Sequence, residues 1–239
     1  MMERLDKRLA NTGRWSRKEA RELIRSGRVA VDGAPCRAPE AKVGEEAAVT
    51  VDGAPVAAAG AVYLMLNKPA GVVSSTAEPG ERTVLDLLGE AYQNIGLFPA
   101  GRLDKDTEGL LLLTNDGALA HRLLSPRGHV DKVYCARLNA PVTEEDIAAF
   151  AAGILLEDGR RCLPAALRAG EGTEGFVTLH EGKYHQIKRM FLSRGKTVLY
   201  LKRLSMGGVA LDPGLGKGEY RYLTEAETAQ LRKNTTICE

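Results

Sequence analysis

The spacing of apolar residues changes near residue 60 and predicts two structural regions. In the first, Leu5 and Leu9 lie four positions apart, which is typical of a short amphipathic helix. Ser16 and Glu19 have the spacing of a capping box, so a second helix is predicted to run from there to about Ser26. Short apolar segments that end in Asp-Gly turns follow, and they predict small β-hairpins.

Longer apolar segments predict strands that alternate with helices after residue 60. The predicted strands cover residues 62–66, 110–113, 132–138 and 176–180. The predicted helices cover residues 82–90, 118–124 and 143–152, and a further helix opens within residues 182–191. Small residues at 57–60 are expected to link the two regions. We therefore expect an α+β protein with one domain over residues 1–59, including the linker, and a second over residues 60–239.

Charge is strongly segregated along the chain, although the net charge is only +2. Residues 1–28 contain nine Lys or Arg against four acids, and residues 182–203 contain seven basic residues and no acid. Residues 144–181 contain eight acids and three basic residues. The second predicted helix carries a basic stripe made of Arg17, Arg21, Arg25 and the flanking Arg28. Such clusters favour a polyanionic partner, because Lys and Arg bind phosphates; a solvated charged surface is the alternative.

Several protein classes are disfavoured by composition. The chain has 44% hydrophobic residues but no apolar run near the about 18 residues that span a bilayer. Its charged N-terminus does not fit a secretory signal, so we expect a cytoplasmic protein without membrane contact. The four cysteines are scattered and form no CxxC pair, and the four histidines lack metal-ligand spacing with them. No metal site and no disulfide framework are predicted.

Asp104 is the candidate reactive group, because it lies on a charged loop next to a predicted buried strand at 110–113. A calcium loop is disfavoured, since Asn115 occupies the position where a bidentate acid is required. An aspartyl-phosphate site is disfavoured because a turn, rather than a hydrophobic strand, precedes Asp104. A surface loop without a role is the remaining alternative.

Residues 101–110, which read GRLDKDTEGL, resemble the active-site signature of the pseudouridine synthases of the RluA and RsuA groups. Asn67-Lys68-Pro69-Ala70-Gly71 resembles the strand end that opens their catalytic domain. Lys132-Val133-Tyr134 resembles their second motif, and residues 182–191 resemble the third. Residues 129–131 and 207–224 resemble the RsuA group in particular, and residues 3–53 resemble the S4 RNA-binding domain.

The resemblance implies a small S4-like α/β domain followed by a synthase domain with a mixed, mainly antiparallel sheet flanked by helices. It implies that Asp104 is the catalytic carboxylate and that Tyr134 stacks on the uracil and assists proton removal. A basic residue should pair with Asp104 and lower its pKa; Lys188 stands where Arg is common in the family and Arg189 follows, so the partner stays open. From the residue alone, Tyr134 also fits an ordinary core tyrosine.

The implied reaction is isomerisation of a uridine to pseudouridine in 16S rRNA, of the uridine-516 type, during small-subunit biogenesis. The chemistry requires no cofactor, and we expect a monomer that acts on rRNA or on an assembly intermediate carrying ribosomal proteins. Alternatives are a 23S rRNA synthase and a non-catalytic S4 assembly factor. The basic residues expected to contact RNA are Arg102, Lys105, Arg4, Arg8, Arg17, Lys18, Arg21, Arg25, Arg28, Lys132 and Lys183.

Overall fold

Two compact units make up the chain in the computed structural model. The structure describes residues 2–12, 14–56, 60–89, 92, 95–125 and 128–233. One unit contains Met1–Val62 and Leu88–Phe98, and the other contains Tyr63–Leu87 and Pro99–Glu239. The return of the chain to the first unit at Leu88–Phe98 was not anticipated from the apolar pattern. Residues 57–59 of the expected linker lie outside the described residues.

The first unit contains two helices and six short strands among its described residues. In chain order its elements are β1 (Met2–Arg4), α1 (Leu5–Ala10), α2 (Arg17–Arg25), β2 (Val29–Val31), β3 (Ala34–Pro35), β4 (Lys42–Gly44), β5 (Val49–Val51) and β6 (Ala54–Pro55). β1 pairs with β4, and the other strands form an antiparallel sheet in the order β3-β2-β5-β6. The predicted first helix begins at Leu5, because residues 2–4 pair with β4. The predicted capping box of Ser16 and Glu19 is confirmed.

The core of the first unit lies between its helices and its sheet. Leu5, Leu9 and Ile24 are fully buried and belong to one cluster with Val29 and Val51. Each such side chain contributes about 1.5–3 kcal/mol when it leaves water. Burial of this face of α2 leaves its arginine-rich face toward solvent.

The elements after residue 62 form a larger sheet with helices. They are β7 (Tyr63–Lys68), a 3₁₀ turn (Leu85–Leu87), β8 (Phe98–Pro99), β9 (Glu108–Thr114), α3 (Gly117–Leu124), β10 (Lys132–Leu138), α4 (Glu144–Ala152), β11 (Ala166–Ala169), β12 (Glu174–Leu179), α5 (Gln186–Leu192), β13 (Val198–Met206), β14 (Val209–Ala210), β15 (Tyr220–Tyr222) and α6 (Glu225–Lys233). The main path of the sheet is β11-β12-β10-β13-β9-β7-β15. Neighbours on this path are antiparallel except β9 and β13, which are parallel. The predicted α+β class with a mixed, mainly antiparallel sheet is confirmed.

Strand β9 lies inside this sheet and follows directly after the loop that carries Asp104. All seven of its residues are buried, and it begins directly after Thr107. Gly109 has φ +98°, and a Cβ atom there would collide with the backbone of Arg203 on β13. Glycine is therefore required where the two strands approach. Because β9 lies between β7 and β13, the C-terminal end of the loop has a rigid base.

One predicted helix differs from the structure, and a second begins late in its predicted segment. In place of a helix over 82–90, the described residues contain the 3₁₀ turn Leu85–Leu87, in which Asp86 accepts a hydrogen bond from the Thr83 amide at 2.7 Å; Glu90 lies outside the described residues. Helix α5 begins only at Gln186, because His185 adopts a left-handed conformation with φ 48°. None of the described helices has the length and apolar character needed to cross a bilayer.

Candidate active site

The candidate site is a cavity of about 690 Å³ in the second unit. Its wall is formed by the loop at 101–107, the start of β10 and the segment 179–188. Arg203 on β13 also lines it. The three sequence motifs that lie far apart in the chain therefore meet at one cavity.

Asp104 is one quarter exposed and lines this cavity. Its Oδ2 atom lies 3.0 Å from Nζ of Lys188, and its Oδ1 atom lies 3.7 Å from Nε2 of His185. Lys188 lies in the first turn of helix α5, and this position brings its ammonium group to the carboxylate of Asp104. This ion pair can hold the Asp104 carboxylate in one orientation.

Lys188 is shared between two carboxylates. Its Nζ atom also donates a hydrogen bond to Oδ1 of Asp106 at 2.6 Å. Burial opposes the charge of Lys188, but its hydrogen bonds to Asp106 and Asp104 outweigh that effect and raise its pKa. Burial also opposes the charge of Asp106, yet the hydrogen bond from Lys188 lowers its pKa. Lys188 therefore stays protonated at neutral pH.

Arg189 lies elsewhere. Its Nη2 atom is 2.6 Å from Oδ2 of Asp158. Successive residues of a helix point about 100° apart, so Lys188 and Arg189 cannot both face Asp104. The sequence left open whether Lys188 or Arg189 pairs with Asp104. In the structure Lys188 pairs with Asp104, and Arg189 pairs with Asp158.

A buried lysine fixes the backbone of the loop that carries Asp104. Lys68 is fully buried at the end of β7, and its Nζ atom lies 2.8–3.2 Å from four backbone carbonyls, those of Pro69, Asp104, Lys105 and Thr107, which share its three donors. Burial lowers the pKa of Lys68 to about 8, although nearby carboxylates oppose the shift. Ser74 adds a second anchor, since its hydroxyl donates to the Leu103 carbonyl at 2.9 Å. The position of Asp104 is set by these buried polar groups.

Tyr134 and Lys132 lie on the buried face of β10, and both line the cavity. The Tyr134 hydroxyl oxygen lies 3.5 Å from Nη1 of Arg203, the residue opposite it on β13. Lys132 is 6% exposed and donates to the Val130 carbonyl at 3.1 Å. Burial, helped by the charge of Arg203, lowers the pKa of Lys132 to about 8. This burial argues against the expected role of Lys132 as a phosphate contact on the surface.

Three other predicted RNA contacts lie at the cavity. Arg102 is exposed on the loop beside Asp104. Lys105 is exposed and its Nζ atom lies 2.6 Å from Oε2 of Glu81. Lys183 donates to the carboxylate of Glu181 and to the Arg161 carbonyl. Of the three, Arg102 is the one with no ion-pair partner among the described residues.

Most predicted basic residues of the first unit are already bound by acids or carbonyls. Asp6 is fully buried, and its carboxylate accepts hydrogen bonds from Arg4, Arg17 and Arg21, which lower its pKa against the effect of burial. Arg28 pairs with Asp52 at 2.5 Å.

Arg8 is 6% exposed and donates to the carbonyls of Gly44, Glu45 and Ala47, so its burial argues against the predicted RNA contact. Lys18 and Arg25 are exposed, and no acidic partner for them lies in the described part of the chain. Among the basic residues of this unit that were predicted to contact RNA, these two remain available to a phosphate.

The profile of the RNA pseudouridylate synthase family matches residues 62–193. This range includes Asp104, Tyr134 and Lys188. The chain belongs to the RNA pseudouridine synthase family. The profile of the S4 domain matches residues 3–49. The synthase therefore carries an N-terminal S4 domain, as predicted.

Relatives of this synthase align over nearly its whole length. Ribosomal small subunit pseudouridine synthase A of Escherichia coli (strain K12) is 44% identical over 232 residues, which cover 95% of this chain and 99% of the relative. The uncharacterized RNA pseudouridine synthase YtzG of Bacillus subtilis (strain 168) is 49% identical over 229 residues, with coverages of 94% and 96%. A crystal structure of a pseudouridylate synthase superposes with a TM-score of 0.70 at 37% identity, covering 96% of this chain and 99% of that one. The predicted similarity to the RsuA group is confirmed.

Sequence reasoning missed several groups that the synthase brings to the cavity. Tyr184 is 76% exposed, and its ring stacks on that of His185 with ring centroids 3.9 Å apart and an angle of 16° between the ring planes. Arg203 was counted only as part of a basic run, yet it is 2% exposed. Lys68 was recognised only as part of the strand-end motif at residues 67–71, and its four carbonyl partners were not foreseen. Within the described residues, no cluster of three or more His, Cys, Asp or Glu side chains suits a metal ion.

Proposed function

We propose that this pseudouridine synthase converts a uridine of 16S rRNA to pseudouridine during small-subunit biogenesis, with Asp104 as the catalytic carboxylate. The observation that carries the catalytic proposal is the Asp104–Lys188 ion pair at 3.0 Å in a cavity shared with Tyr134. The small-subunit substrate is supported by relatives named ribosomal small subunit pseudouridine synthase A, which cover 95% of this chain. The S4 domain supports an RNA substrate.

The proposed reaction moves the bond between base and sugar without gain or loss of atoms. The N1–C1′ bond breaks and its electron pair stays on the uracil ring. C5 then bonds to C1′, the C5 proton leaves, and N1 takes up a proton. Asp104 either bonds to C1′ or attacks the ring, and in both cases its ionised form is required. Lys188 is proposed to orient this carboxylate, because it donates to Asp104 and stays charged at neutral pH.

Tyr134 is proposed to hold the uracil while the bond is moved. It is 8% exposed, lines the cavity, and belongs to the strand next to β13. A uracil stacked on this ring is separated from water and held in one plane. Tyr134 is also the proposed assistant in removing the C5 proton.

The target nucleotide must leave its helix or stack to reach Asp104, at a cost of a few kcal/mol. Arg102 is proposed to fill the gap or to bind the flanking phosphate, because it is exposed beside Asp104 and unpaired among the described residues. Tyr184, stacked on His185 at the cavity, offers a flat surface to a neighbouring base. Lys18 and Arg25 are the proposed phosphate contacts of the first domain.

The domain assignment follows from this division of roles. Residues 1–59 are proposed as the RNA-binding domain with its linker, and residues 60–239 as the catalytic domain. All proposed catalytic groups come from one chain, so we propose a monomer. An rRNA substrate places the enzyme in the cytoplasm.

The test is tritium release from rRNA that contains 5-tritiated uridine, because loss of the C5 proton accompanies the rearrangement. 16S transcripts, 23S transcripts and protein-bound 16S intermediates are compared, and the product is mapped by nuclease digestion. We expect release from 16S material at one position. Release confined to 23S rRNA would refute the small-subunit assignment. Tight binding without release from either RNA would refute catalysis by this chain.

A further inference from the structure

Arg203 is a buried cation at the cavity, and the described residues provide no anionic partner for it. It is 2% exposed, although it lines the cavity together with Asp104 and Tyr134. Its Nε atom donates to the Leu110 carbonyl at 2.7 Å, which fixes the guanidinium against β9. Its Nη1 atom lies 3.5 Å from the Tyr134 hydroxyl. Its Nη2 atom is buried and has no hydrogen-bond partner among the described residues.

A buried guanidinium donor without a hydrogen-bond partner destabilises the folded protein, unless a ligand accepts a hydrogen bond from it. The two acids that line the cavity are already bound, Asp104 by Lys188 and Glu181 by Lys183. The nearby Lys132 adds positive charge and no acceptor. The cavity therefore holds a fixed excess of positive charge beside the ring of Tyr134, where the proposed function places the uracil.

We propose that Arg203 is a further catalytic residue, whose Nη2 group donates a hydrogen bond to a carbonyl oxygen of the target uracil and stabilises the negative charge of the departing base. This inference rests on the proposed placement of the uracil on Tyr134 and on Asp104 as the catalytic carboxylate. It adds a leaving-group role that neither of those residues fulfils.

The reaction passes through a transient negative charge that such a group can stabilise. When the N1–C1′ bond breaks, its electron pair remains on the uracil, and the resulting anion is delocalised over N1 and the two carbonyl oxygens. The anion is consumed when C5 bonds to C1′; the C5 proton then leaves and N1 is protonated, so no charge remains. A donor that is rigid before the bond breaks stabilises this transient anion more than the neutral base. Arg203 is rigid because its Nε atom is held by Leu110 and its side chain is buried.

The test compares two leaving groups in one assay. A mixture of 16S and 23S transcripts is prepared with uridine or with 5-fluorouridine, whose electron-withdrawing fluorine makes the departing base more acidic. Wild type, Arg203→Met and Arg203→Lys are used in excess over RNA, so that rates report chemistry rather than binding. Consumption of uridine or 5-fluorouridine at the target position is measured after nuclease digestion. Arg168→Met, which removes an exposed arginine on β11, is the control.

Arg203→Met is expected to slow consumption of uridine by about 100-fold, the usual effect of removing one anion-stabilising donor. Its effect on 5-fluorouridine should be at least about tenfold smaller, because the better leaving group depends less on the donor. Arg203→Lys retains the charge but not the fork of donors, and should fall between wild type and Arg203→Met.

An equal loss of rate on both substrates would overturn the proposal, since a purely structural role of Arg203 affects both leaving groups alike. If Arg203→Met does not unfold cooperatively, the same comparison is made with Arg203→Lys. The position of the product on 16S or 23S rRNA tests the proposed substrate separately, because the ratio between variant and wild type is measured on whichever RNA reacts.

Discussion

Replacing Lys188 by Gln tests the ion pair that the structure places at the cavity. The change removes the cation that lies 3.0 Å from Asp104 while keeping a polar side chain of similar length. Two unit charges at this separation attract each other by about 1.4 kcal/mol in water and about 5.5 kcal/mol at an effective dielectric constant of about 20. Both side chains are about one quarter exposed and Asp106 competes for the same cation, so a loss of about 2–3 kcal/mol is expected.

That loss corresponds to a fall in kcat/KM of about 30- to 150-fold. The assay is tritium release from the 16S transcript at subsaturating enzyme, with RNA affinity measured in parallel by filter binding. Lys188→Arg keeps the charge and should retain activity within about tenfold of wild type. Arg189→Gln is the matched control, because Arg189 is bound to Asp158 and does not contact Asp104.

A Lys188→Gln variant that folds normally and stays within about twofold of wild type would show that the ion pair does not assist catalysis. The reasoning is also refuted if Arg189→Gln is the more damaging variant, since the choice between the two residues rests on their opposite directions on α5.

Three further predictions concern the groups around this pair. Lys68→Met should lower the free energy of unfolding by about 3 kcal/mol and reduce turnover, because buried carbonyls that hold the loop lose their donor; an unchanged urea midpoint would contradict this. The pKa of Lys132 is about 8 in the folded protein, compared with its ordinary value of 10.5. Between these pH values the unfolded state therefore binds more protons than the folded state. The stability of wild type relative to Lys132→Met should rise as the pH increases through this window. Urea unfolding of both proteins at pH 7 and pH 10 checks the sign. Charge reversal of Lys18 and Arg25 together should weaken RNA binding and flatten its salt dependence, and an unchanged slope of affinity against salt would remove the first domain from the RNA interface.

The local parts of the site were readable from sequence because they depend on neighbouring residues. The buried strand after the loop follows from the apolar run at 110–113, and the capping box of α2 follows from Ser16 and Glu19. Gly109 was visible as part of a motif, but its reason was not, because the close approach of Arg203 depends on the parallel pairing of β9 with β13.

Features that depend on distant pairing could not be derived in this way. The separation of Lys188 from Arg189 follows from where α5 starts, and that start is set by the left-handed conformation of His185. The buried Asp6 neutralises several arginines that the sequence presented as a free basic stripe. Arg203 belongs to a basic run that is typical of a phosphate-binding surface. It is nevertheless buried, because its strand β13 lies between β10 and β9 inside the sheet.

The most direct test of the central claim compares Asp104→Asn with Asp106→Asn. Both changes remove one carboxylate that contacts Lys188, but only Asp104 is proposed to act on the substrate. Under single-turnover conditions with the RNA that wild type modifies, Asp104→Asn should release no tritium above background while its RNA affinity stays within about threefold, because phosphate contacts dominate binding. Asp106→Asn should retain at least about one tenth of the wild-type rate, as it perturbs only the shared cation. Tritium release by Asp104→Asn at a rate near that of wild type would contradict the account and move the catalytic carboxylate elsewhere.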